Sequence, residues 1–404
     1  MMANHQTDDQ DGLDHLIDKV AKNLGNGFDD VRYDLLSPDD SFYISSMLFV
    51  NIIANSTNED TDKRTVSIVV KKPSQSAALR EMMRCDAQFH NEILFYERFA
   101  KEHEDLPICY YAEERPPAKT VIVLENIGER EFQLCSWRYN VPMEYTLAAI
   151  REIALFHAKG YTMKEHSRAE FFDIVENLSE TRYDGNPENM LRHVMNRTST
   201  RSIEYLRNRG HDREFCDRMD AYLGDSYENI VLPICKPEEP LATLCHGDFT
   251  LNNTFFKRTN GEVKAMFIDF AMIRYGPPVI DLSTYLCLHC AEELDKDMLD
   301  GVLKVYNDTL VGRLAENGVE ELERFSYETM REDYRKKGLV GFAIASFFLA
   351  IVMGKSEHSP EDMAQISTEE VAIALRELGG DEISEILANM LLKLKDFGCL
   401  DHVV

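Results

Sequence analysis

Residues 241–282, LATLCHGDFTLNNTFFKRTNGEVKAMFIDFAMIRYGPPVIDL, constrain this chain more than any other stretch. Asn260-Gly261 lies between two runs rich in β-branched and aromatic residues. A dipeptide of that kind supplies the two positive φ angles of a type I′ turn. The stretch therefore predicts a hairpin with strands at 254–258 and 262–268. Such a hairpin brings Asn253, at the start of one strand, close to Asp269, at the end of the other. Asp248 stands five residues ahead of Asn253.

This order of side chains suits phosphoryl transfer, which needs positioning, charge neutralisation and an acceptor for a hydroxyl proton more than it needs covalent help. Asp248 is the expected proton acceptor. Asn253 and Asp269 offer the oxygens that Mg²⁺ prefers. His246 and Gly247 are read as shaping the loop, the histidine by hydrogen bonds to backbone. Asp and Asn also serve as plain turn residues. Asp-x4-Asn alone is common, but His-Gly-Asp-x4-Asn, an NG hairpin and an apolar strand ending in Ile-Asp-Phe are rare together.

HGDFTLNN followed by FIDFAMIRYGPPVIDL resembles the ecdysteroid kinase-like family, within the choline kinase and aminoglycoside phosphotransferase group. The resemblance runs from near residue 35 to past residue 350. It implies an α+β, bilobal protein kinase-like fold with a small antiparallel-sheet N-lobe and a larger, mainly helical C-lobe. It implies Asp248 as catalytic base, Asn253 and Asp269 as metal ligands, and Asp281 as a brace for the catalytic loop. The expected organisation is a disordered tail at 1–12, a nucleotide-binding N-lobe at 13–126, and a C-lobe at 127–404 with the catalytic loop and substrate pocket.

Within 13–126, Leu13, Leu16, Ile17, Val20 and Leu24 recur at helical spacing. Strands are expected at 42–54, 65–71, 108–112 and 120–126, and a helix at 76–102. The family resemblance points to Lys71 as the lysine on the α and β phosphates, through its Val-x-Lys-x-Pro pattern. Lys72 is the competitor, since strand alternation turns one inward and the other outward. Glu92, in the family's Phe-x-x-Glu-x-x-x-Tyr stretch, would pair with Lys71. Adenine would be read by backbone near Glu125 and Ile127, at a hinge-like position. The first hairpin of such a lobe usually carries a glycine-rich loop, and the family commonly has a glycine near Asp40. Residues 38–45, PDDSFYIS, have none, leaving Ser41 and Ser45 as hydrogen-bond donors for phosphate.

The C-lobe is expected to be helical at 146–161, in much of 165–230, and near 282–315, 323–357, 367–378 and 382–396. A net charge of −27 disfavours a nucleic-acid or anionic-membrane partner. The longest apolar run, 339–353, is shorter than the ~20 residues of a membrane span. The acidic, polar N-terminus lacks the apolar core of a signal peptide. Nine scattered cysteines suggest a reduced, cytoplasmic protein, with Cys287 and Cys290 as core thiols rather than a zinc pair.

The leading expectation is an ATP- and Mg²⁺-dependent small-molecule kinase that phosphorylates a hydroxyl of a lipophilic, ecdysteroid-like substrate. Phe342, Phe347, Phe348 and Tyr285 are candidates for an apolar acceptor surface. The alternative is a catalytically weak or dead relative that binds a ligand or acts as a scaffold, which draws on the glycine-free loop. Asp269-Phe270-Ala271 runs directly into RYGPP with no Ala-Pro-Glu segment, which speaks against a protein kinase.

Overall fold

The computed structural model describes residues 2–25, 28, 31–36, 45–54, 64–103 and 105–403, with backbone alone for 2–11 and 102. The chain divides into two compact units, Met1–Phe132 and Gln133–Val404.

The first unit is built on a five-stranded antiparallel sheet in the order β1-β2-β3-β5-β4. Its strands are β1 (Val31–Leu36), β2 (Ser46–Ala54), β3 (Thr65–Lys72), β4 (Cys109–Glu113) and β5 (Val121–Glu125). Alternation sorts their faces. Val50 and Ile52, Ile68 and Val70, and Val121 and Val123 share one buried core with Leu13, Leu16, Ile17 and Val20 of helix α1 (Met2–Leu24). Burial of these branched side chains holds the helix to the sheet at roughly 1.5–3 kcal/mol each. Residues 2–11, expected as part of a disordered tail, continue this helix as backbone, because propagation adds one hydrogen bond per residue once a turn exists.

The long helix expected at 76–102 is broken. It comprises α2 (Ala77–Met82) and α3 (Cys85–Leu94), then a π-turn at Phe95–Phe99 and a 3₁₀ turn at Ala100–Glu102. Arg84 adopts a left-handed φ of 53° and separates the two helices. Phe89, Ile93, Tyr96 and Phe99, placed on one face by their spacing, are all buried. β1 has no counterpart in the sequence-based assignment, because its strand VRYDLL is mostly exposed and carries little apolar periodicity.

The second unit contains the short strands β6 (Gln133–Leu134), β7 (Thr243–Cys245), β8 (Thr254–Thr259), β9 (Glu262–Phe267) and β10 (Arg274–Gly276). β6-β8-β9 form one sheet and β7 pairs with β10. Its helices begin with α4 (Met143–His166), α5 (Arg168–Asn177), α6 (Met190–Thr198), α7 (Arg201–Asn208), α8 (Arg213–Leu223) and α9 (Leu232–Ile234). They continue with α10 (Val279–His289), α11 (Lys296–Glu316), α12 (Tyr327–Lys337) and α13 (Leu339–Val352). The last three are α14 (Pro360–Met363), α15 (Thr368–Glu377) and α16 (Gly380–Phe397). The expected helix 323–357 is thus two, meeting at Gly338.

α4 packs on α11 and β7, and α10 packs on α13. The close crossing of α10 and α13 depends on Gly341, where a Cβ would lie 2.2 Å from the Ser283 carbonyl oxygen. Phe342, Ala343, Ile344 and Ala345 are buried around it, so the longest apolar run is interior core. No helix among the described residues is long and apolar enough to cross a membrane. Tyr285 and Phe342 are wholly buried, and Phe347 packs on Val194, Val371 and Leu375. Tyr285 and Phe342 therefore serve the core, a correction to the expectation above, while Phe347 is half-buried.

A Gly341→Ala substitution should force α10 and α13 apart at a backbone contact. The expected loss is about 1–3 kcal/mol of stability, read as a lower melting temperature.

Candidate active site

The Asn260-Gly261 turn has φ of 52° and 87°, the positive pair that a type I′ hairpin needs. Register pairs Thr254 with Phe267 and Thr259 with Glu262. Just beyond the ladder, Ile268 N–H donates to Asn253 O at 3.1 Å, which fixes Asn253 beside the residue preceding Asp269. Asp269 itself takes a left-handed φ of 62°, an uncommon and strained conformation for a non-glycine residue. It turns the chain sharply at the end of β9.

Asp248 is half-buried on the loop between β7 and β8. Asn253 Nδ2 donates to both the Asp248 backbone oxygen and its Oδ2, each at 3.0 Å. Because the Asn253 amide nitrogen is spent in this way, its Oδ1 is the atom left to act as an oxygen ligand. Arg182, on the loop between α5 and α6, makes an ion pair with Asp248 Oδ1 at 3.3 Å.

The loop is held from behind by Asp281 on α10, which is 1% exposed. Its Oδ2 accepts His246 N–H at 2.7 Å and its Oδ1 accepts Gly247 N–H at 2.8 Å. His157 Nε2 donates to Oδ2 at 3.0 Å, and its Nδ1 lies 2.8 Å from the Tyr306 hydroxyl. His157 is therefore a satisfied core histidine. His246 Nδ1 accepts Asp248 N–H at 3.3 Å, which leaves Nε2–H to donate to Ile268 O at 3.0 Å. One imidazole thus ties the Asp248 loop to the strand that ends at Asp269. Gly247 has a φ of 79°, and a Cβ there would lie 2.0 Å from Met272 O, so only glycine fits.

His289, at the end of α10, is a second clamp. Its Nε2 accepts Leu251 N–H at 3.1 Å and its Nδ1–H donates to Arg138 O at 2.9 Å. Acceptance at Nε2 requires the neutral ring, and burial pushes its pKa down to about 4 despite the Arg138 hydrogen bond. Phe249 stacks on Tyr285 with centroids 4.5 Å apart and completes the loop's apolar floor.

In the first unit, Lys71 lies 2.6 Å from Glu92 Oε2, and their side chains are 8% and 1% exposed. Alternation along β3 sets Lys71 with Val69, opposite the face that Ile68 and Val70 turn to α1, while Lys72 is half-buried at the strand's end. The ion pair is thus made by Lys71. Breaking such a buried pair from one side costs about 3–5 kcal/mol. Ser45 is a half-buried bend residue next to Ser46, which pairs with Lys72. The rest of the glycine-free segment, 38–44, lies outside the described residues. Glu125 is gripped by Arg130 Nε and a terminal nitrogen at 2.6 and 2.5 Å, and its Oε2 accepts Ile108 N–H at 3.2 Å. The buried Ile127 opens a 3₁₀ turn that Asn126 caps through Gly128 N–H at 3.1 Å.

Sequence reasoning missed Arg182 and His289. Arg182 precedes the turn Asp184-Gly185-Asn186-Pro187, and nothing in its local pattern ties it to a loop 66 residues away. His289 reads as one more apolar-helix residue. Cys287 and Cys290 are buried free thiols, and Cys290 Sγ lies 3.5 Å from Thr146 Oγ1.

The neutral His289 clamp has a pH signature. The unfolded chain takes up a proton near pH 6.5 and the folded chain only near pH 4, so stability is full above pH 6.5 and falls as pH drops toward 4. The contribution is on the order of 3 kcal/mol. Denaturant titrations across that window should show a shallower pH slope for His289→Gln than for the unaltered chain.

The family model described as the ecdysteroid kinase-like family matches residues 40–319. Among solved structures, a microcompartment-associated aminopropanol kinase is 10% identical, with a TM-score of 0.41, and 96% of this chain and 99% of that one are covered. A thermostable aminoglycoside phosphotransferase mutant, in ternary complex with ADP and hygromycin B, is 14% identical with a TM-score of 0.30, covering 89% and 99%. An aminoglycoside phosphotransferase from Alicyclobacillus acidocaldarius is 14% identical with a TM-score of 0.31, covering 91% and 93%. No curated protein matches significantly. With more than half of its length matched by the family model, the chain belongs to the ecdysteroid kinase-like family.

Proposed function

We propose that this kinase-like phosphotransferase moves the γ-phosphoryl group of ATP to a hydroxyl of a lipophilic alcohol of the ecdysteroid type. The observation that carries the reading is the Asp248–Asn253 contact at 3.0 Å, on a loop whose backbone Asp281 fixes. The acceptor class follows from the family alone.

Asp248 accepts the hydrogen bond of the acceptor hydroxyl and orients its oxygen. As the new O–P bond forms and the bond to ADP breaks, the hydroxyl proton passes to the Asp248 carboxylate. Little proton abstraction is needed until late in a loose transition state, so fixed orientation matters more than basicity. Lys71, steadied by Glu92, contributes a fixed positive charge to the phosphates, and Ser45 a hydroxyl donor. The backbone at Glu125 and Ile127 reads the adenine edge.

Asn253 Oδ1 and the Asp269 carboxylate form an oxygen-only donor set, the kind Mg²⁺ takes together with phosphate oxygens. When bound there, the ion neutralises phosphate charge. His157, Cys245 and Asp281 also lie close enough together for a metal. Their polar atoms, however, are engaged in the fold: Asp281 with His246 and Gly247, His157 with Tyr306, and Cys245 with Gly276 O at 3.3 Å.

Asp248→Asn should lower turnover by about 10²-fold or more while ATP affinity is kept. Near-normal turnover in that variant would exclude Asp248 as the base. ATP with Mg²⁺ should raise the melting temperature by mass action, and Asp269→Ala should abolish the Mg²⁺-dependent part of the rise. A rise that persists in that variant would sink the metal assignment.

A further inference from the structure

The loop 178–189, between α5 and α6, is tied down far more firmly than an ordinary surface connection. Glu180 Oε1 accepts the backbone N–H of both Arg182 and Tyr183 at 2.8 Å. Its other oxygen is held by Arg274 at 3.0 Å, on β10. The Arg182 carbonyl accepts Asn189 Nδ2 at 2.8 Å, and Tyr227 donates its hydroxyl to Asp184 O at 2.8 Å. Thr181 reaches Met272 Sδ at 3.2 Å, in the turn that follows Asp269. The Arg182 backbone is therefore pinned at both its N–H and its C=O. Only its side chain extends outward, and the guanidinium ends on Asp248 Oδ1.

The two oxygens of Asp248 thus have different partners. Oδ2 takes the Asn253 amide and Oδ1 takes Arg182. A carboxylate gripped from both sides cannot rotate about its last bond, so the lone pairs left for an incoming hydroxyl point in set directions. We infer that Arg182 is a positioning residue for the base, fixing the Asp248 carboxylate so that it presents one defined lone pair to the acceptor hydroxyl. The inference rests on the reading of Asp248 proposed above.

This reaction asks first for an acceptor fixed in orientation. Misplacement of a positioned group by about 1 Å can cost about 10²-fold in rate. The contact to Oδ1 is made by one nitrogen of a rigid, planar cation, which the flexible, point-like charge of lysine reproduces only in part.

The test uses the full chain, with ATP consumption followed against a panel of alcohols that includes a sterol-type alcohol, and with water as the background acceptor. Arg182→Met should lose about 10²-fold in kcat, with the KM for ATP and the Mg²⁺·ATP-induced rise in melting temperature unchanged. Arg182→Lys should recover part of the loss. Guanidinium ion added at low millimolar concentration should restore turnover to Arg182→Met and not to Asp248→Asn. In the Asp248→Asn background, Arg182→Met should cost little more, since the two act as one unit. A kcat for Arg182→Met within twofold of the unaltered chain would overturn the inference, as would a loss that guanidinium fails to repair. If Asp248→Asn itself keeps full turnover, or if the unaltered chain consumes no ATP with any acceptor, the underlying functional reading fails and the inference falls with it.

Discussion

A single carboxylate organises the helical unit. Asp281 is almost wholly buried, and a buried charge is tolerable only when hydrogen bonds replace the water it has lost. Three donors do so: the backbone N–H groups of His246 and Gly247, and the His157 ring. The two amides belong to the loop that carries Asp248, the ring to the central helix α4, and the carboxylate to α10. Any shift of the loop would strip a buried anion of its partners. The loop is accordingly held in one conformation, with His246, Asn253 and His289 extending that order to Ile268, Asp248 and Leu251.

Much of this was legible in the sequence because it is local. The Asn260-Gly261 turn reports its own backbone angles, and the hairpin it closes sets Asn253 next to Ile268 whatever surrounds it. Asp281 and the Lys71–Glu92 pair are distant contacts, 34 or more residues apart in one case and 21 in the other, and only family likeness could connect them. Periodicity gave the buried face Phe89, Ile93, Tyr96 and Phe99, but it could not see the left-handed Arg84 that breaks the helix.

Where the sequence misled, hydrophobicity was the reason. A run of Phe, Ala and Ile is equally suited to a binding wall and to a core, and Gly341 decides between them by bringing α13 onto α10. Arg182 and His289 were invisible for the opposite reason. Each is a polar residue whose meaning lies wholly in a partner from another part of the chain, a loop residue meeting Asp248 and a helix end meeting Leu251.

Gly247 and Met272 carry a mechanical consequence. The carbonyl oxygen of Met272 occupies the space where any other residue at position 247 would place its Cβ. The Asp248 loop and the turn after Asp269 are thereby in backbone contact, with no compressible side chain between them. Close-packed surfaces of this kind transmit displacement rather than absorb it. The two segments therefore move as one body or not at all, and any displacement of the turn after Asp269 is carried directly into the loop that holds Asp248.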